Sequence, residues 1–140
     1  MISFANTDNQ SLKKLIGVFW EKSGFSPNES VFVVTDKEQS CERGSQVYVV
    51  PYDYRGETFG KTFTYSLNNN NADAVLINIQ NHTDSKSFEI LTNEGMGRVF
   101  INNKNSAPVE DVLICAAVFL ALGMELQQVL DVLNGILRKH

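Results

Sequence analysis

Apolar and polar residues alternate along this 140-residue chain with two different periods, and the change of period divides it into elements. Leu12, Leu15, Ile16, Phe19 and Trp20 recur at helical spacing, which predicts one amphipathic helix. Thr7 and Gln10 stand at capping-box spacing ahead of it, Gly24 is a stop signal, and Ser26-Pro27-Asn28 reads as a turn. Val31–Val34 and Val47–Val50 are short, continuously apolar runs, the pattern of strands buried on both faces. Pro51 ends the second, and 52–60 reads as loop.

The pattern beyond residue 60 is half polar, as in antiparallel sheet with one wet face. Lys61–Ser66 reads as a strand. Asn68–Asn71 reads as a turn, because asparagine tolerates left-handed backbone angles. Ala74–Gln80 reads as a strand with Val75, Ile77 and Ile79 on one face. Ser87–Thr92 and Arg98–Ile101 read as a hairpin joined through Asn93-Glu94-Gly95. The tail is helical again: Ser106 is a cap and Pro108 falls in the first turn. Val112–Leu122 is apolar on every side and belongs between layers. Gly123 stops it. Leu126, Val129, Leu130, Leu133 and Leu137 then form a single stripe, with Arg138 and Lys139 at the negative helix end. The expected fold is a single α/β domain over 1–140: three layers, a short parallel β core, an antiparallel β extension and two C-terminal helices.

Composition narrows the chemistry. A net charge of −4, with no basic run longer than Lys13-Lys14, argues against a nucleic-acid partner. The longest apolar run is too short to cross a bilayer, so no membrane partner is expected. MISFANTDNQ lacks the charge-then-apolar order of a signal peptide, and a cytoplasmic location is the default. Cys41 and Cys115 make no disulfide framework; Cys115 reads as a buried small hydrophobe and Cys41 as an ordinary thiol.

Gly56-Glu57-Thr58-Phe59-Gly60-Lys61-Thr62 resembles a phosphate-binding loop. It has three residues between its glycines instead of four, and it precedes a strand where the mechanism needs a helix. His82 and His140 have no ligands at metal spacing, so no metal site is expected. Ser85 beside His82 is unremarkable. Glu110-Asp111 sits where carboxylates relieve the positive end of a helix dipole. Asp36 follows the first apolar strand, where open α/β sheets gather ligand groups, but a turn aspartate is the favoured reading.

The order of VFVVTD (31–36), TFTYSLNNNNADAVLINI (62–79) and SAPVEDVLICAAVFLALGMELQQVL (106–130), together with the helix over 10–19, resembles the Mur ligase family. The similarity covers the second half of that family's central ATP-binding domain. It runs nearest to the members that add D-alanyl-D-alanine to the peptidoglycan precursor, in the form fused to an alanine racemase. The resemblance implies ATP-dependent amide ligation, with ATP and Mg²⁺ as cofactors of the parent family. The family's adenine-contacting asparagines fall at Pro108 and Asp111, and the asparagine of its N-x-D-D region falls near Thr35. Proline offers no side-chain amide, and an aspartate cannot donate as asparagine does. Asp36, Pro108 and Asp111 are thus a degenerate nucleotide-binding set, with no catalytic residue among them. The phosphate loop and the flanking domains have no counterpart here. The expectation is a fragment or truncated relative of such a ligase, inactive alone and using no cofactor in isolation, whose partners are the remaining ligase domains or another copy. Two alternatives stay open: a standalone binding or assembly module, and a small nucleotide-binding protein using Asp36 and the Gly56–Thr62 loop.

Overall fold

A computed structural model describes residues 1–5, 8–105 and 107–138. The elements run β1 (Ile2–Phe4), α1 (Gln10–Ser23), β2 (Val31–Val33), β3 (Val47–Pro51), β4 (Lys61–Ser66), β5 (Ala74–Asn81), β6 (Ser85–Thr92), β7 (Gly95–Asn102), α2 (Val109–Ala121) and α3 (Leu126–Leu137). The strands form one sheet in sequence order. β1 to β5 are parallel, and β5, β6 and β7 are antiparallel. The fold class is α/β, as expected, but β4, whose half-polar pattern suggests antiparallel sheet, pairs parallel with both β3 and β5.

Strand alternation divides the core. Val31, Val33, Val47 and Val49 join Ala74, Leu76, Phe88, Ile90, Val99 and Ile101 beneath the three helices. Phe32, Val34, Tyr48 and Val50 point the other way. There the connecting segments supply the third layer: Cys41, Tyr54 and Phe59 pack onto them, and the Tyr48 hydroxyl donates to the Glu42 carbonyl (2.7 Å). Cys41 is therefore half-buried, with its sulfur 3.3 Å from the Tyr54 hydroxyl. Burial and the Cys41 thiol push the Tyr54 phenol up to about 12.

α2 is buried on nearly every side, as its composition requires. Phe119 holds it to α1: the Phe19 ring stacks on it at 4.1 Å between centroids, and Trp20 and Phe25 meet it edge-on. α1 ends at Gly24 in a left-handed conformation (φ 63°), which confirms that stop. α3 lies against β7, where Gly97 leaves room for Leu130; a Cβ at that position would overlap the Leu130 side chain.

Several expectations need correcting. β1 was not anticipated; its three residues are too few to show a period. Thr7, Ser106, Lys139 and His140 lie outside the described residues. The N-cap of α1 is Asn9, whose Oδ1 accepts the Leu12 N–H (3.0 Å). Pro108 occupies the N-cap position of α2 and so sits just outside the first turn. Ile79 does not share a buried face with Val75 and Ile77, since it is 51% exposed. The register of β5 on β6 shifts between Ile77 and Gln80, and Asn78 adopts φ 56° there. This bulge turns the end of the strand outward. The Asn68–Asn71 turn is not left-handed, because Asn78 is the only non-glycine with positive φ among the described residues. Side chains make the turn instead: Ser66 Oγ accepts from Asn68 and Asn69, and Asn69 Oδ1 accepts from Asn71.

The last strand is an edge, and Asn134 of α3 answers two of its outward backbone groups. Its Oδ1 accepts the Phe100 N–H (2.9 Å) and its Nδ2 donates to the Arg98 carbonyl (3.1 Å). One side chain thus imitates a neighbouring strand. Arg138 at the end of α3 adds its guanidinium over the Phe100 ring (4.4 Å). Asn134→Ala is expected to cost about 1–3 kcal/mol, since both backbone groups lose their partner; urea denaturation with an unchanged m-value would measure it.

Candidate functional site

In open α/β sheets the crevice for ligands forms at the carboxyl ends of the parallel strands. Here a cleft of about 240 Å³ opens there, lined by Pro51, Tyr52 and Asp53 after β3, by Tyr65 to Asn69 at the end of β4, and by Glu110 in the first turn of α2. Tyr65 forms its floor, buried and donating its hydroxyl to the Val34 carbonyl (2.8 Å). Burial, then the negative charges of Glu110, Asp53 and Asp36, push its phenol far above the ordinary range. Two carboxylates, Asp53 and Glu110, line the cleft. Lys37 pairs with Asp53 at a long 3.8 Å, and that pair is exposed.

The sequence-derived site residues are scattered among other tasks. Asp36 is exposed, and its Oδ1 accepts the Glu38 N–H (2.8 Å). Gln39 Oε1 in turn accepts the N–H groups of Thr35 and Asp36 (2.9 and 3.2 Å). That is turn chemistry, as the sequence favoured. Pro108 contributes its carbonyl to the start of α2, accepting the Val112 N–H (3.2 Å).

Asp111 does something the sequence did not disclose. It is 5% exposed and faces α1. Asn9 Nδ2 donates to its Oδ1 (2.9 Å), and Ser11 Oγ donates to its Oδ2 (2.6 Å). The Ser11 hydroxyl also lies 2.8 Å from Asn9 Oδ1, but it has one proton, and the shorter, charge-assisted contact takes it. One carboxylate therefore joins the N-termini of two helices, each with a positive dipole end. Asn9 and Ser11 lie about a hundred positions away in sequence, so no local pattern could have revealed the pair.

Glu110, beside Asp111, is exposed at the mouth of the cleft. Burial, then the Asp111 charge, hold its carboxyl above the ordinary carboxylate range. Cys115, one turn further, is fully buried, and burial with the Asp111 charge pushes its thiol up as well, which leaves it unreactive.

The Gly56–Thr62 loop ends at the opposite, amino-terminal end of β4. Lys61 begins the strand, its N–H bonded to the Gln46 carbonyl (3.1 Å). Gly60 has a structural reason: a Cβ there would sit 2.6 Å from the Gln46 carbonyl oxygen. No helix N-terminus follows, so the loop has no phosphate cradle. The His82 ring reaches Ser87 rather than Ser85 (Nε2 to Oγ 3.2 Å), and Ser87 also accepts from Arg98 (2.9 Å). Arg98 pairs with Glu89 (2.9 Å), and Asn78 donates to the same carboxylate (2.7 Å). Among the described residues, no group of three or more His, Cys, Asp or Glu could hold a metal ion, and no helix is long and apolar enough to cross a membrane.

A mixed sheet that starts parallel, ends in an antiparallel hairpin and carries a helical layer on one face places this chain in the fold class of the Mur ligases. Among solved structures, it superposes on the UDP-N-acetylmuramoylalanyl-D-glutamyl-2,6-diaminopimelate–D-alanyl-D-alanyl ligase of Acinetobacter baumannii with a TM-score of 0.62 and 12% identity, over 95% of this chain and 45% of that one. A UDP-N-acetylmuramoyl-L-alanyl-D-glutamate–2,6-diaminopimelate ligase gives 0.55 and 16%, over 76% and 28%. A second structure, of MurF from Acinetobacter baumannii, gives 0.52 and 15%, over 74% and 28%. The chain spans less than half the length of each. No family model and no curated protein matches the sequence. At these identities the likeness is one of fold.

The helix junction and the cleft make separable predictions. Ser11→Ala should cost about 1.5–3 kcal/mol, because it strips a hydrogen bond from a buried carboxylate. Combined with Asp111→Ala it should cost less than the two changes summed, which a double-mutant cycle by chemical denaturation would read. Glu110 acts with the opposite sign. Its folded pKa lies above the unfolded one, so its charge destabilises the fold at neutral pH, and this loss disappears as pH falls below the ordinary glutamate value of about 4.3. Glu110→Gln should therefore melt higher than the unaltered chain at pH 7 and equal to it in acid; thermal melts across pH would show the convergence.

Proposed function

We propose that this chain is a relative of the ATP-dependent ligases that build peptidoglycan precursors, corresponding to the second half of their central domain, and that it does not bind nucleotide or ligate on its own. Within that group the Ala107–Cys115 stretch favours the D-alanyl-D-alanine-adding kind found fused to alanine racemase. Its setting would be cytoplasmic, and ATP and Mg²⁺ would belong to the parent family rather than to this unit.

The observation that carries this reading is the start of α2. Helix N-termini bind phosphate by turning free N–H groups and a positive dipole end toward it. Here Asp111 occupies that end with a carboxylate already held by Asn9 and Ser11. Glu110 stands at the mouth, and Asp36 and Asp53 add to the same field at Tyr65. A polyphosphate entering the cleft would meet the like charges of Glu110 and Asp53. Among the described residues no cluster of carboxylates that could hold Mg²⁺ is present, which supports the reading.

Titration with Mg-ATP supplies the test. A ligand at a hundred times its dissociation constant adds about 2.7 kcal/mol to apparent stability, or several degrees of melting temperature. No shift is expected at about 10 mM Mg-ATP. A saturable rise would overturn the reading and restore the alternative of a small nucleotide-binding protein.

A further inference from the structure

Asn134 is followed by Gly135, the one Asn-Gly pair in the chain. The glycine has no steric reason to be there. It lies exposed inside α3, and a Cβ at that position would meet no atom within 4 Å. Glycine holds a helix less well than alanine, so the last turn of α3 is loosened with no gain in packing. Its neighbour is the side chain that fastens this turn to the sheet: Asn134 Oδ1 accepts the Phe100 N–H, and Nδ2 donates to the Arg98 carbonyl. The Arg138 N–H closes the turn on the Asn134 carbonyl (3.2 Å). A weak helical turn and a chemically labile amide thus coincide at a latch between α3 and β7.

We propose that Asn134-Gly135 is a modification site: the folded chain deamidates there when the last turn of α3 opens, and the product no longer latches β7. The inference goes beyond the ligase reading and does not rest on it. The Gly135 backbone nitrogen attacks Asn134 Cγ and forms a C–N bond. The Cγ–Nδ2 bond breaks, and Nδ2 leaves as ammonia with the proton that the Gly135 nitrogen gives up. Water then opens the cyclic imide at either carbonyl, leaving an aspartate or an isoaspartate whose main chain runs through Cβ. Water is the only co-reactant. Glycine suits the ring closure because it has no Cβ to hinder it and its backbone turns freely. Two restraints act in the folded chain. The helical ladder ties the Gly135 N–H to the carbonyl four residues back, and both amide atoms of Asn134 are engaged by β7. Both lapse together when the last turn frays, an opening far smaller than unfolding. In either product a carboxylate replaces the carboxamide. It has no proton for the Arg98 carbonyl, so acceptor faces acceptor, and its charge stands at the negative end of the helix dipole. Isoaspartate also lengthens the main chain, which disturbs the bond from the Arg138 N–H.

Peptide mass spectrometry tests this on the chain held at mildly alkaline pH, folded and in guanidinium. Asn134 should convert in both, about tenfold or more slowly in the folded chain, where the turn must open first. Phe32→Leu weakens the core on the sheet face away from α3. It should leave the folded rate within about twofold, because only local opening is needed. Gly135→Ala should slow conversion about tenfold in the denatured chain, where its Cβ hinders ring closure, and raise the melting temperature of the folded one. The aged product, separated by its added negative charge, should melt lower than the unaltered chain and exchange the Phe100 amide hydrogen faster; Asn134→Asp should do the same. Folded Asn134 that stays intact while the denatured chain converts overturns the proposal. So does a folded rate that Phe32→Leu raises in step with the lost stability, or an aged product whose Phe100 amide is protected as before.

Discussion

A helix without a wet face has to be walled in, and α2 sets the terms for the rest of this molecule. It contacts α1, α3 and the strands β3, β4 and β5. Its apolar length is satisfied by packing, with Phe119 held among Phe19, Trp20 and Phe25. Its first turn cannot be satisfied that way, because the free N–H groups of a helix start need polar company. The chain resolves this by bringing the start of α1 to the start of α2. Asp111 takes hydrogen bonds from Asn9 and Ser11, and the same Asn9 caps α1 through its other amide atom. Helix packing and helix capping are thereby coupled at one point.

That coupling has a chemical consequence at the carboxyl ends of the strands. Sheets of this kind commonly use a helix start to receive an anion. This start already holds an internal carboxylate and carries Glu110 beside it, whose carboxyl burial and then the Asp111 charge hold above the ordinary range. The crowding registers in the burial-driven and charge-driven shift of Tyr65, which looks onto the same cleft. Fold likeness to the Mur ligases fixes the sheet and the helical layer; the polar character of the α2 start is set separately, by Glu110 and Asp111.

The edges obey the same economy of polar groups. β7 presents backbone donors and acceptors that α3 answers with a single asparagine, which is possible because α3 lies along that strand. α1 covers the face beside β1, with Lys13 over the Phe4 ring (5.5 Å).

Periodicity alone carried the elements with strong patterns. The stripes of α1 and α3, the uniform apolarity of α2, the buried runs of β2 and β3, the bounds of β4 and the Asn93-Glu94-Gly95 hairpin all follow from side chains choosing between water and core. What periodicity misjudged shares a cause. β1 is three residues long, and the outward turn of Ile79 arises from a bulge against β6, so both depend on a partner strand rather than on their own composition. The Asn68–Asn71 turn was legible as a turn, but its mechanism was side-chain capping by Ser66 and Asn69 rather than left-handed backbone. Asp111 was legible as a helix-start carboxylate. Its grip on Asn9 and Ser11 was not, because hydrogen bonds between residues a hundred positions apart exist only once the helices have packed. Local order, then, was written in the chain; which polar groups meet was decided by tertiary packing, since that is where distant donors and acceptors first come within reach.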